Sequence, residues 1–193
     1  PLARHRASAK GALGVHKGPL GLRHDQNRLV PYDPRWATGF ERERARLART
    51  LAGIALGIEH YGSTAVPGLP AKPILDIIVG VSPLDHWTEC HEPLLALGYD
   101  YAENAGVPGH HIFGRGRDRS ERTHLLHVVE FGAESWTSNL AFRDALRTSP
   151  ELQARYLALK NTALSAAPEG RAAYNALKAG PIAQMKAELT GRK

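Results

Sequence analysis

The residue that most restricts what this chain could do chemically is Asp76. It lies among Ile74, Leu75, Ile77, Ile78, Val79 and Val81. A stretch this rich in β-branched and aliphatic residues reads as a strand buried on both faces. A carboxylate inside it is costly unless it is paired or binds a metal ion. The plain alternative is an aspartate that caps a backbone group or pairs with an arginine, and Asp76 alone does not decide between the two. About a dozen positions upstream stand Gly62, Ser63 and Thr64, just after the alternating stretch 57–61. Glycine there allows close backbone approach, and Ser63 adds a hydroxyl. Ser63 and Thr64 can also cap a helical turn whose free N–H groups face a phosphate. A phosphate-binding turn followed by a strand with a metal-ligating carboxylate is a plan for phosphate chemistry.

That plan resembles the nucleotidyltransferase superfamily, whose signature is Gly-Ser, a gap of about a dozen residues, then Asp-x-Asp or Asp-x-Glu. The gap here fits, but the second acid is replaced by Ile78. The stretch Gly62-Ser63-Thr64-Ala65-Val66-Pro67-Gly68-Leu69, then Ala71-Lys72-Pro73-Ile74 and Asp76, resembles the GrpB family more closely. So do three further stretches in the same order: Val30 to Trp36, Thr123 to Val129, and Leu140 to Asp144. The resemblance covers about residues 28–186. It implies a nucleoside triphosphate and a small-molecule acceptor as partners, with Gly62, Ser63 and Thr64 on the substrate. It implies a divalent metal, Mg or Mn, at Asp76 if the chain is active. The same domain is known fused behind dephospho-CoA kinase, so a kinase domain is an implied partner in relatives. The resemblance leaves two readings open. One is a nucleotidyltransferase. The other is an inactive nucleotide-binding or accessory module associated with coenzyme A biosynthesis; the missing second acid favours this one, and the intact Gly62-Ser63 turn with the buried Asp76 favours the first.

With Ile78 in place of an acid, a further ligand must come from a neighbouring strand such as 124–130. Alternation there puts His124, Leu126, Val128 and Glu130 on one face and Leu125, His127 and Val129 on the other. Only one histidine can therefore join Asp76. The family wording favours His127 as catalytic and metal-binding residue. Glu130 is the better magnesium ligand chemically but lies on the opposite face. The plain alternative for His127 is a histidine hydrogen-bonded within the sheet. Lys72, Arg115 and Lys178 are candidate phosphate contacts. Lys72 could equally pair with Glu59, and Arg143 with Asp144. No phosphate loop and no nucleophile elbow are present, so the chain is not itself the kinase of its fused relatives.

Composition narrows the field. The chain has 193 residues, a formal net charge of +6 and one cysteine, Cys90. Six of the 25 Lys and Arg residues, and only one of the 19 acids, lie in the first 28 residues. The remainder is nearly neutral, which argues against nucleic acid as a partner. Residues 1–27 show no apolar period and read as a basic, poorly ordered extension, with one domain over 28–193. A single cysteine excludes an internal disulfide. No apolar run approaches a membrane span and no secretory leader is visible, which fits a cytoplasmic protein.

The elements needed to position Asp76 follow from periodicity. Helices are expected over about 34–52 and 84–97. Strands are expected at 57–61, 72–81, 99–101, 110–115 and 121–131, the last two joined by a hairpin. Three helices finish the chain, with Leu152, Tyr156, Leu159 and Ala163 facing inward on one. Tyr174, Leu177, Ile182 and Met185 face inward on the last, with a kink expected at Gly180-Pro181. Strands first and helices last give an α+β fold. The resemblance makes it a nucleotidyltransferase-like mixed or antiparallel sheet with flanking helices and a helical last third.

Overall fold

The structure is a computed structural model that describes residues 19–103, 107–118 and 120–191. In chain order it contains β1 (Leu22–Arg23), α1 (Arg35–Thr50), β2 (Gly57–Tyr61), a 3-10 turn (Ser63–Ala65), β3 (Leu75–Val81), a second 3-10 turn (Leu84–His86) and α2 (Trp87–Ala96). Then come β4 (Asp100–Tyr101), β5 (His111–Arg115), β6 (Glu121–Arg122), β7 (His124–Glu130), α3 (Glu134–Thr148), α4 (Pro150–Ala166) and α5 (Arg171–Leu189). Five strands form one mixed sheet in the order β2-β3-β7-β5-β4. β3 runs antiparallel to β2 and parallel to β7. The α+β class, the mixed sheet and the helical last third are as expected.

Alternation sorts the sheet's side chains. Leu75, Ile77, Val79, Val81, Leu126 and Val128 pack on the face covered by α1, with Trp36, Phe40 and Leu47. Asp76, Ile78 and His127 lie on the opposite face, where Ile78 and Val129 meet Trp136 of α3. A third cluster ties Val66 and Leu69 to Phe142, Leu146, Leu152, Tyr156 and Met185 of the last three helices. That packing sets α4 and α5 beside the turn that follows β2. Ser149 caps α4 by accepting the Leu152 N–H at 3.1 Å, with Pro150 in the first turn. α5 runs on through Pro181.

The extension drawn through residue 27 is too long. Leu22 is fully buried, and β1 pairs antiparallel with β6. The Pro19 carbonyl accepts from Trp36 Nε1 at 2.9 Å. Asn27 donates to the carbonyls of Ala167 and Gly170, each at 3.0 Å. Local periodicity gave no sign of this, because two-residue strands and single anchors have none. Residues 1–18 lie outside the described residues.

Candidate functional site

β2 and β3 bring Gly62 against Asp76. Tyr61 pairs with Asp76 across the antiparallel ladder. The chain then leaves β2 through Gly62 at φ 69°, a left-handed conformation that favours glycine. A Cβ at Gly62 would lie 2.6 Å from Asp76 Oδ2. Glycine is thus required twice, for its backbone angle and for the room it leaves the carboxylate.

α4 reaches the same place from above. Lys160 Nζ donates to Ser63 Oγ at 3.2 Å and to the Pro70 carbonyl. Tyr156 Oη lies 3.3 Å from Ser63 Oγ. From α5, Tyr174 offers its ring to two ammonium groups, Lys72 Nζ at 3.6 Å and Lys178 Nζ at 4.1 Å from the centroid. Lys72 Nζ also donates to Asn27 Oδ1 at 2.5 Å. Arg171 Nη2 donates to the Leu22 carbonyl at 2.9 Å, while its Nε is buried with no hydrogen-bond partner.

Asp76 therefore looks onto four cations. Among the described residues its carboxylate makes no hydrogen bond and no ion pair within 4.0 Å. Burial raises its carboxyl to about 6, against the opposing pull of Lys178, Arg171, Lys72 and Lys160. The cations are pushed the other way. Burial, then Lys178 and Arg171, lowers Lys72 to about 7; burial, then Lys178, lowers Lys160 to about 7. Burial lowers Lys178 to about 8 and, with Arg122, Arg171 to about 10. A cluster of one carboxylate and several part-desolvated cations is suited to an anion, and hydroxyls of Ser63 and Tyr156 add neutral donors.

The expected site residues divide. Gly62, Ser63, Lys72, Asp76 and Lys178 come together. Thr64 does not: its hydroxyl lies 3.0 Å from His60 Nε2 and is buried. Arg115 lies on the α1 face, donating to Glu43 at 2.7 Å and facing His124 Nε2 at 3.1 Å. Strand alternation puts it there, since Arg115 pairs with His124. His127 shares Asp76's face but opposes Ile78, one pleat further along. Its ring meets Tyr61, 5.4 Å away centre to centre, and its Nδ1 lies 3.1 Å from His110 Nδ1. Burial lowers its pKa to about 3. Glu130 opposes Val81, about 16 Å beyond Asp76 along the strand, and accepts from Ser82 at 3.0 Å. Glu59, the alternative partner for Lys72, is bound by Arg143 at 2.8 Å, and Arg143 also holds Asp144.

Asp76, His127 and Glu130 therefore do not form one ligand set. Among the described residues no three His, Cys, Asp or Glu come together to hold a metal ion. A lone carboxylate among four cations does not fit a resident divalent ion.

Sequence reading missed Asn27, Tyr156, Lys160, Arg171 and Tyr174. One signal was available. Leu152, Tyr156 and Lys160 recur at four-residue spacing, so Lys160 continues the buried stripe of α4, and only 2% of it is exposed. On α5 the neighbouring Lys178 likewise turns in where Leu177 was expected, and Leu177 is exposed.

Comparison with known proteins came to the same family as the motifs. The profile of the family described as GrpB protein matches residues 26–188. The glutamate-rich protein GrpB of Alkalihalophilus pseudofirmus is 32% identical over 165 residues, covering 84% of this chain and 91% of that protein. The crystal structure of conserved protein GrpB from Enterococcus faecalis superposes with a TM-score of 0.73 at 31% identity, covering 84% of this chain and 96% of that one. A dephospho-CoA kinase of Mycolicibacterium paratuberculosis is 33% identical over 175 residues, covering 78% of this chain. The shared part is only 43% of that kinase, so the similarity accounts for less than half of its length. Among the described residues no helix is long and apolar enough to cross a membrane.

Proposed function

This chain belongs to the GrpB family, and from that premise we propose that the Asp76 cleft binds the phosphate chain of a nucleoside triphosphate. The observation that carries the reading is that Lys72 and Lys178 share the Tyr174 ring and Lys160 binds Ser63, with Arg171 near and Asp76 the single carboxylate among them. Part-buried cations without acid partners are costly, and a phosphate chain is the biological anion that matches several at once. The Gly62-Ser63 turn supports the choice, because Ser63 Oγ already sits with Lys160 and Tyr156.

The reaction class that follows from the family resemblance is nucleotidyl transfer. An acceptor oxygen would attack the α-phosphorus and pyrophosphate would leave. The four cations would neutralise charge on the departing phosphates. Asp76 is the group in the cleft that could take the acceptor's proton. Magnesium or manganese enters this reading only as the counter-ion a triphosphate carries, as part of the substrate. The absence of a second acid at Ile78 favours a second reading, in which the cleft binds nucleotide without transferring it. The similarity to a dephospho-CoA kinase suggests an accessory module beside such an enzyme.

Calorimetric titration of the whole chain with ATP, GTP, CTP and UTP tests the binding. Saturable binding of at least one is expected, weakened roughly tenfold or more by Lys178→Gln. Failure of all four would remove the proposal. Release of labelled pyrophosphate in the presence of candidate acceptors separates transfer from binding alone.

A further inference from the structure

We propose that the cleft takes its phosphate chain as a metal-free polyanion, with Lys72, Lys160, Arg171 and Lys178 doing what a divalent ion does in other phosphate-transfer sites. This deepens the phosphate reading above and rests on it. Lys160 is held by the Pro70 carbonyl and the Ser63 hydroxyl. Lys72 is held by the Asn27 amide oxygen and the Tyr174 ring. Lys178 lies against the same ring, and Arg171 against the Leu22 carbonyl. Every one of these partners is neutral. The protein has fixed the four groups in place without cancelling their charge, and Asp76 offsets only one of them from beyond ion-pair distance.

A second observation points to the ligand independently. Arg171 Nε is a buried donor with no acceptor, the one such side-chain atom among the described residues. Buried donors are nearly always satisfied, and this one belongs to a guanidinium whose charge acts on Asp76. A divalent ion entering here would find one carboxylate and add charge to a region already in positive excess. An ionised phosphate chain would satisfy the orphan and cancel the excess. The same chemistry is offered by a free nucleoside triphosphate and by inorganic tripolyphosphate.

The test compares ATP and inorganic tripolyphosphate, each titrated into the whole chain in EDTA and in excess magnesium chloride. Binding in EDTA is expected to match or exceed binding in magnesium, by roughly tenfold for tripolyphosphate. Asp76→Asn removes the sole negative charge and is expected to tighten metal-free binding by roughly tenfold. If Asp76 held a metal ion, the same variant would abolish binding instead. Lys178→Gln is expected to weaken metal-free binding, and a wild-type comparison of EDTA with magnesium decides the matter even if a variant fails to fold. Binding that requires magnesium or manganese, or that Asp76→Asn abolishes in a folded protein, overturns the inference. Tripolyphosphate binding in EDTA without ATP binding leaves the inference standing and removes the nucleotide reading. No binding of either anion removes both.

Discussion

The two faces of the central sheet treat buried charge in opposite ways. On the α1 face, Glu43 is 4% exposed and accepts from Arg115, Arg46 and Tyr99 at 2.7, 3.1 and 2.9 Å. Burial works to raise its pKa, yet the hydrogen bond and charge of Arg115 leave it lowered. On the other face Asp76 makes no such contact, and burial holds its pKa up at about 6. The first arrangement is closed: each charge has its partner, and nothing is left to receive a ligand. The second is open, with cations held by neutral groups and an orphan donor among them. A buried charge is therefore a poor guide to function until its partners are known.

The largest expected effect comes from acid. His60 and His127 are held near 3 and His124 near 4, burial being the main cause in each. All three lie below the unfolded value of about 6.5, so the unfolded chain binds more protons as pH falls from there. Their stabilisation is complete above about pH 6.5 and is lost downward towards pH 3–4, at up to ~1.4 kcal/mol per pH unit for each histidine. Asp76 works against this. Its folded pKa of about 6 exceeds the unfolded value of 3.8, so its contribution rises as pH falls between them. Unfolding free energies from urea titrations between pH 7 and 4.5 should therefore fall by several kcal/mol, and more steeply in Asp76→Asn. A flat profile would mean the buried histidines are not neutral.

Arg115→Met comes next. It strips Glu43 of its closest cation and should cost about 3 kcal/mol, while phosphate binding by the folded fraction stays at the parent value. A loss below ~1 kcal/mol would put this ion pair with weak surface bridges and erase the contrast between the faces. Asp76→Asn should run the opposite way. Because the fold disfavours the ionised carboxyl at neutral pH, the variant should gain ~1–2 kcal/mol, read as a raised denaturation midpoint. A clear loss would show Asp76 to be a structural partner after all. The smallest effect is expected for Asn27→Ala, about 1 kcal/mol, since it removes the acceptor of Lys72 and two donors to the α4–α5 connection. Phosphate affinity should fall modestly with it. Unchanged affinity would place the 19–27 segment outside the cleft's support.

How much of the site was legible depended on where its residues lie in the chain. Gly62, Ser63, Lys72 and Asp76 belong to one strand-turn-strand unit, so their convergence followed from local pattern. Lys178 was named as a phosphate candidate without any geometric reason, and the packing of α5 sets it against the Tyr174 ring. Arg115 falls elsewhere because a residue's type does not say which side of the sheet it faces once pairing partners are unknown, and Thr64 because the 3-10 turn brings its hydroxyl to His60. His127 was placed on the correct face by alternation, yet register set it one pleat beyond Asp76 and against Tyr61 and His110. In α4 Leu159 packs on the helical cluster as expected, with Lys160 buried beside it, whereas in α5 Leu177 is exposed and the neighbouring Lys178 turns in. In α5 apolar preference chose the leucine, and tertiary packing chose the neighbour.

The sequence by itself determined the family, the mixed sheet with its helical last third, and the Gly62–Asp76 pair. These rest on periodicity and on residues close along the chain. Only the tertiary structure decided that Asp76 faces cations instead of further ligands. That outcome depends on two helices about a hundred residues downstream being packed over the turn after β2, and on a short N-terminal segment bracing them. Contacts at such separations are set by how whole elements bury their apolar faces together, which no local pattern of residue types encodes.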